Sequence, residues 1–269
     1  MNFPEPPRAR DDSAVFSLRK WYLDCVGDSG ELCIAYRAEL KVAGAQIATA
    51  SLLRFDDQDG MRTRWTVRSC PEPTGEDVLS WEAPALDLAA RFERRDPSCA
   101  ATLLDGPEGT VRWTCTHPRA AVEMRIAGEV LRGTGYAEVL DLTVPPWKLP
   151  IDELRWGRLL TASHGVVWID WRGSQPQRLI VVDGNPVAGE LEDSGPRGGG
   201  ARVLLHEPRV LRSGRIGETV LSAVPGLDRL VPGRILGLEE TKWRSRGTLQ
   251  IGSCEEEGWA IHELVRWPL

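Results

Sequence analysis

Three short segments of this chain carry residue types at spacings that could do chemistry. The densest is Gly133-Thr134-Gly135-Tyr136-Ala137-Glu138-Val139-Leu140-Asp141. In an extended backbone Tyr136, Glu138 and Leu140 share one face, and Ala137, Val139 and Asp141 share the other. Glu138 therefore lies between an aromatic and an aliphatic neighbour. A carboxyl group desolvated there has a raised pKa and suits general-acid work, whereas one at a sheet end is an ion-pair partner for arginine. The second segment is Leu154-Arg155-Trp156-Gly157-Arg158, in which Trp156 and Arg158 share a face. The planar guanidinium of Arg158 is the expected partner of Glu138 or Asp170, as an inter-strand or inter-domain salt bridge. The third is Val166-Val167-Trp168-Ile169-Asp170-Trp171-Arg172. Here Val167, Ile169 and Trp171 form an apolar core face. Trp168, Asp170 and Arg172 form an aromatic-plus-carboxylate face that either lines a cavity or meets solvent near a barrel end.

Composition narrows the chemistry. The 269 residues include 11 Trp against 3 Tyr and 4 Phe, an excess of large side chains that line pockets as readily as cores. A net charge of −6 offers no basic surface for nucleic acid or an anionic membrane. His117, His164, His206 and His262 lack metal-ligand spacing, and the six cysteines lack any C-x-x-C pair, so neither a metal nor an organic cofactor is expected. Cys25 and Cys33 flank the turn Gly27-Asp28-Ser29-Gly30 symmetrically and face each other across a hairpin, as two buried thiols. Hydrolase-elbow, zinc-protease, P-loop and dinucleotide glycine patterns are missing from the sequence. The segment Met1–Arg8 has no apolar core of a signal peptide, and no apolar run approaches the ~20 residues of a membrane helix. A soluble cytoplasmic protein is the expectation.

The elements that must position these groups read as strands. Period-two runs bounded by Gly, Pro and Asp turns cover Val15–Val26, Glu31–Val42, Ile47–Phe55, Arg62–Ser69, Ala85–Arg94, Ala100–Leu104, Thr110–Thr116, Ala120–Ala127 and Gly133–Leu142. They resume at Arg158–Thr161, Val166–Arg172, Gln177–Asp183, Arg202–Val210, Thr219–Val224, Gly237–Trp243, Thr248–Ser253 and Trp259–Trp267. No window sustains a 3.6 period, which disfavours a doubly wound α/β fold. A helical turn at Ile151–Leu154 and a flexible loop at Ser194–Gly200 are expected. Pro145-Pro146-Trp147-Lys148-Leu149-Pro150 interrupts the strand pattern, because proline cannot donate to a central ladder. The reading is an extended or disordered segment 1–13 followed by two all-β barrel domains, 14–146 and 147–269. A faint echo, Gly135-Tyr136-Ala137-Glu138 against Gly258-Trp259-Ala260-Ile261-His262-Glu263, is compatible with two related barrels in tandem.

The runs Gly-Thr-Gly-Tyr-Ala-Glu, Pro-Pro-Trp-Lys-Leu-Pro and Leu-Arg-Trp-Gly-Arg resemble the lipocalin-like carotenoid 1,2-hydratase (hydroxyneurosporene synthase) superfamily. Trp21-Tyr22-Leu23-Asp24 and Val167-Trp168-Ile169-Asp170-Trp171 look similar too. The family motif reads Gly-Tyr-Trp-Asp-His-Asn. Here its carboxylate corresponds to Glu138, with Ala137 and Val139 in place of the Trp and His. The resemblance implies two tandem lipocalin-like antiparallel barrels and an apolar pocket for a polyene, isoprenoid or polyketide. It also implies acid-initiated hydration, cyclisation or isomerisation, or, in the rival reading, a non-catalytic carrier of a hydrophobic metabolite. Glu138 is then the acid, and Asp170 or Asp141 orients water or takes a proton. Tyr22, Trp113, Tyr136, Trp147, Trp156, Arg158 and Trp168 contact the substrate, the aromatic faces steadying a carbocation.

Overall fold

The computed structural model describes residues 16–42, 44–57, 60–68, 70–215 and 237–268. The expectations for segment 1–13 and for a strand at Thr219–Val224 fall outside the described residues. Within them the chain is two curled antiparallel sheets. The first comprises β1 (Phe16–Val26), β2 (Leu32–Val42), β3 (Ala45–Asp56), β4 (Gly60–Thr66), β5 (Val78–Ala83), β6 (Leu88–Arg94), β7 (Cys99–Gly106), β8 (Gly109–Ile126) and β9 (Glu129–Leu142). The second comprises β10 (Glu153–Thr161), β11 (Gly165–Arg172), β12 (Gln177–Val182), β13 (Asn185–Val187), β14 (Gly189–Glu192), β15 (Gly195–Gly198), β16 (Ala201–Arg215), β17 (Glu239–Ile251) and β18 (Cys254–Arg266). The all-β, barrel-like reading of the sequence therefore holds. Among the described residues no helix is long and apolar enough to cross a membrane.

Both sheets are wound the same way. Their orders are β4-β3-β2-β1-β9-β8-β6-β5, with β7 also on β8, and β13-β12-β11-β10-β18-β17-β16-β15-β14. In each, the first strand pairs with the last. The second sheet curls until its end strands β13 and β14 are separated in the chain only by Ala188. The first is drawn together at its ends by a 3₁₀ turn, Pro84–Leu86, whose Leu86 carbonyl accepts from Arg64.

Three apolar layers follow from strand alternation. Trp21, Leu23 and Cys25 of β1 point into the first barrel with Phe92, Met124 and Val139. Leu159, Val166 and Trp168 point into the second with Ile180, Val203 and Leu249. The opposite faces, including Tyr22 and Val26 of β1, Trp156 of β10 and Ile169 and Trp171 of β11, meet in a shared layer between the sheets. Strands sandwiched this way are covered on both faces, so Trp21–Val26 and Trp156–Thr161 are buried without a break.

Several local expectations are corrected. The two expected strands Thr110–Thr116 and Ala120–Ala127 are one strand, β8, with register shifts around His117. Pro118 lies in that irregularity, where a missing N–H costs no ladder bond. Likewise Gly237–Trp243 and Thr248–Ser253 merge in β17, paired throughout with β18. Pro84–Leu86 turns where a strand was expected to begin at Ala85. The helical turn is at Pro146–Lys148 rather than Ile151–Leu154. The expected loop at Ser194–Gly200 contains β15, held between β14 and β16.

Candidate active site

The site grows out of the two closing pairs, β1 with β9 and β10 with β18. Their registers set Tyr22 opposite Glu138 and Trp156 opposite Glu263. The two pairs face each other across the inter-sheet layer, with the Tyr22 and Trp156 rings 4.9 Å apart, edge to face. The sequence echo thus falls on equivalent closing strands. Its glycines have a packing reason: a Cβ on Gly135 would lie 2.1 Å from the Asp24 carbonyl oxygen, and one on Gly258 would lie 2.1 Å from that of Leu160. Only glycine lets the first and last strands approach so closely.

Glu138 is held by three neutral donors on a single oxygen. Tyr136 Oη donates to Oε2 at 2.5 Å, Trp113 Nε1 at 2.5 Å and Trp156 Nε1, from the other sheet, at 3.2 Å. Oε1 takes no partner from the described residues, yet it is not among the sealed, unpaired polar atoms, so it keeps access to the space between the sheets. Desolvation raises the Glu138 pKa above its ordinary value. The donated bonds from Tyr136 and Trp113, the charge of Lys20 and the bond from Trp156 oppose this without cancelling it.

Glu263, its counterpart on β18, has the opposite environment. It is paired with Lys242, an ammonium on β17 whose residue is only 2% exposed. Desolvation acts against the Glu263 charge, but Lys242, Lys20 and Arg212 outweigh it and lower the pKa. Burial likewise works against charge on Lys242, and Glu263, Tyr36 and Glu240 override it, so the ammonium persists. Its Nζ lies 5.2 Å from the Tyr22 ring centroid, 5.3 Å from Trp156 and 5.9 Å from Tyr36. One site therefore contains a carboxyl biased towards its acid form and a carboxylate biased towards its base form, with Lys20 acting on both.

Beneath the rings, Arg158 and Asp24 are both fully buried, with Nη2···Oδ1 2.6 Å and Nε···Oδ2 3.1 Å. Arg158 also donates to the Trp259 carbonyl at 2.6 Å. Burial first, then the nearby Asp24 carboxylate, pushes the Tyr22 hydroxyl pKa up. Towards the other end of the layer Leu18, Lys20, Tyr36, Leu40, Glu138 and Leu140 are only partly buried. The charged cluster thus has a partly exposed flank formed by these residues.

Of the expected site residues, the structure brings together Tyr22, Trp113, Tyr136, Glu138, Trp156 and Arg158. Arg158 pairs with Asp24 of β1, not with Glu138 or Asp170, because the opposing sheet presents Asp24 directly to it. Asp170 points to the other face of its sheet, where Arg172 and Arg178 hold it at 2.6 and 2.9 Å. Asp141, of odd parity to Glu138, faces away and is bound at 2.8 Å by Arg19. Trp147 packs on Phe16 at the far start of β1, with ring centroids 5.8 Å apart. Trp168 points into the second barrel. The sequence reading missed Lys242, Lys20, Tyr36 and Asp24, and it noted Glu263 only as a neighbour of His262 in a proton shuttle. One signal was available for part of the set: the chain has four lysines, Lys20, Lys41, Lys148 and Lys242, and Lys20 alternates in phase with Leu18 and Tyr22. Cys25 and Cys33 do oppose each other in the register, as buried free thiols. Among the described residues no group of three or more His, Cys, Asp or Glu could hold a metal.

No family model matches the chain, and no curated protein does. Among solved structures, CghA with Sch210972 aligns over 99% of this chain and 96% of its own, at 12% identity and a TM-score of 0.52. A second structure of CghA aligns over 99% and 95%, at 11% identity and a TM-score of 0.51. Kievitone hydratase from Nectria haematococca aligns over 95% and 90%, at 9% identity and a TM-score of 0.52. At such identities the likeness is one of fold, a lipocalin-like arrangement of two antiparallel barrels extending over nearly the whole chain.

Proposed function

We propose that this chain is a cofactor-independent enzyme that acts on a hydrophobic small molecule by protonating it, leading to hydration, cyclisation or isomerisation. The observation that carries the reading is the pair of carboxyl groups, Glu138 and Glu263, driven in opposite pKa directions within one inter-sheet site. Such divergence is how one site holds an acid and a base at the same pH. A carrier has no need of it.

In this reading Glu138 enters as the neutral acid. Its Oε2 is saturated by three donors, so the proton resides on Oε1, towards the open side. As the proton passes to an alkene carbon or a carbonyl oxygen, negative charge develops on the carboxyl group and the three donors are already in place to stabilise it. The faces of Tyr22 and Trp156 are already taken by the Lys242 ammonium, so electron deficiency on the substrate is best carried by an oxygen of the substrate itself. Glu263, kept ionised by Lys242, then orients a water for addition or accepts a proton from the substrate. Hydration returns a proton to Glu138 from the added water. Isomerisation leaves the proton on Glu263, and solvent restores both groups.

Lys242 narrows the substrate class. A bare hydrocarbon cation forming beside an ammonium is repelled, whereas a carbonyl, enol or hydroxyl oxygen accepts a hydrogen bond from it. An oxygenated polyketide or isoprenoid therefore fits better than an unsubstituted polyene. The names of two structural neighbours, kievitone hydratase and CghA with Sch210972, support a small-molecule substrate without narrowing its class.

The test begins with organic extraction and native mass spectrometry of protein isolated from its own host. The molecule recovered is then incubated with the protein in D₂O. Deuterium at one newly protonated position is expected, with turnover lowered about 10²–10⁴-fold by Glu138→Gln. Unchanged turnover in Glu138→Gln sinks the assignment.

A further inference from the structure

We propose that the second barrel holds a separate binding site for a neutral, planar one- or two-ring molecule bearing a hydrogen-bond acceptor. The inference does not need the chemistry assigned to Glu138, although the two sites share Trp156 and Glu263 as a common wall. A cavity of about 250 Å³ lies at one end of this barrel, and Trp168, Trp243, His262, Leu191, Leu205 and Leu264 contribute its wall. Trp156 and Glu263 border it, but the register puts Gly157, His262, Trp168 and Trp243 together on the face of β10, β11, β17 and β18 opposite to the Glu138 site. The other end of the barrel is filled by Leu159, Val203 and Leu249, so the cavity is a local feature and not a loosely packed core.

The wall is built for a flat ligand. Trp243 and His262 stack with centroids 5.1 Å apart and planes within 16°, so the wall holds a fixed aromatic pair against which a flat ring can pack. A glycine in mid-strand makes the room. A Cβ on Gly157 would lie 2.3 Å from Trp168 Cζ2 and 2.7 Å from His262 Cβ, so the sequence forgoes strand propensity there to seat both rings.

His262 supplies one oriented polar group. Burial, then the Lys242 charge, lowers its pKa to about 4, so the ring is neutral at pH 7. Nε2 is 2.8 Å from Ser245 Oγ. Ser245 is 1% exposed and has no other hydrogen-bond partner among the described residues, so its hydroxyl hydrogen has no acceptor except Nε2. The proton of the neutral ring is then on Nδ1, which has no partner among the described residues and acts as a donor. Ser245 is a positioning residue here: it sets the tautomer and does not itself line the cavity.

Size and charge define the occupant. A dry cavity of 150 Å³ accommodates benzene, and drug-sized ligands take about 300–1,000 Å³, so this one suits a single or fused pair of rings. The rim carries Arg155, Glu192 and Asp193, with both carboxylates balanced by arginines: Asp193 by Arg155, and Glu192 by Arg197 and Arg202. No unopposed cation draws in an anion, and the neutral His262 gives none inside.

Coumarin, a flat bicyclic lactone with a carbonyl acceptor, is the probe. It is titrated into the full chain at pH 7 and followed by calorimetry and tryptophan emission. Saturable 1:1 binding is expected, weakened about tenfold by His262→Phe through loss of one hydrogen bond. Leu205→Trp, which fills the cavity, abolishes binding, and Glu138→Gln leaves the affinity unchanged. No binding to the wild-type chain overturns the proposal, as does binding that Glu138→Gln weakens and His262→Phe does not. If Leu205→Trp does not fold, His262→Phe decides alone, and equal affinity there also overturns it.

Discussion

At the scale of the residue, the central fact is that Glu138 and Glu263 are chemically alike and electrostatically opposed. The three groups that bind Glu138 Oε2 are neutral donors from Tyr and Trp, too weak to repay the desolvation of a carboxylate. The group that binds Glu263 is a full ammonium, which does repay it. The sign of each contribution to stability follows. Glu138 has a folded pKa above the unfolded value of about 4.3, so the folded protein keeps a proton that the unfolded chain releases. Its stabilising contribution is complete below that unfolded value and is lost as pH rises through the folded one. Glu263, with a lowered folded pKa, contributes above the unfolded value and loses its contribution as pH falls through the folded one. Glu138→Gln removes the first slope while preserving an acceptor for the three donors. Thermal melts monitored by circular dichroism from pH 4 to 8 should therefore show this variant gaining on the wild type as pH rises. Parallel curves for the two proteins would contradict the burial of an ionisable group at position 138.

At the scale of the element, the closing strands do most to build the site. The glycines of Gly133-Thr134-Gly135-Tyr136-Ala137-Glu138 invite a catalytic reading, but their role is geometric. A Cβ on Gly133 would meet the Val26 carbonyl oxygen at 2.0 Å, and one on Gly135 would meet Asp24 O at 2.1 Å and Val122 Cγ2 at 2.6 Å. Gly135→Ala must push β9 away from β1 or against Val122. A loss of about 1–3 kcal/mol, the usual cost of overpacking, is expected in urea denaturation. Because the displaced strand carries Glu138, turnover should fall as well. A variant with wild-type stability and activity would show that the close approach of the strands is dispensable.

At the scale of the whole molecule, the two sheets are locked by polar contacts across an otherwise apolar layer. Arg158–Asp24 is the innermost of these. Arg244 adds contacts to the Gly30 carbonyl and to Asp57, and Arg119 donates to the Ala162 carbonyl. Removing one member of a buried pair leaves an uncompensated charge, so Asp24→Asn should cost about 3–5 kcal/mol. Replacing both partners with apolar residues, Asp24→Leu with Arg158→Met, should cost clearly less, because neither desolvation penalty remains. Urea denaturation of the single and double variants closes the cycle. Additive losses would mean that the ion pair does not couple the sheets.

Alternation of apolar and polar residues determined by itself that the chain is all β, that its strands are bounded by turns, and that Tyr136 and Glu138 share a face. Those are local consequences of a period-two backbone, and they survive in the structure. Strand merging was not legible: at β8 a bulge and a break look alike in sequence, and at β17 the polar run Arg244-Ser245-Arg246-Gly247 hides an uninterrupted pairing with β18. The partners of Glu138, Arg158 and Glu263 were also beyond reach. Each lies across a sheet or between sheets, and Arg158 meets Asp24 at a separation of 134 residues. Parity could say that Asp141 and Glu138 point apart, and the structure shows Asp141 on Arg19. It could not say which face of β11 meets the other barrel, so Asp170, rightly placed with Trp168 and Arg172, was assigned to a site that lies on the opposite face. Only the packing of one barrel on the other, which buries six consecutive residues of β1 and of β10, decided where charge would be desolvated and which carboxyl would have its pKa raised.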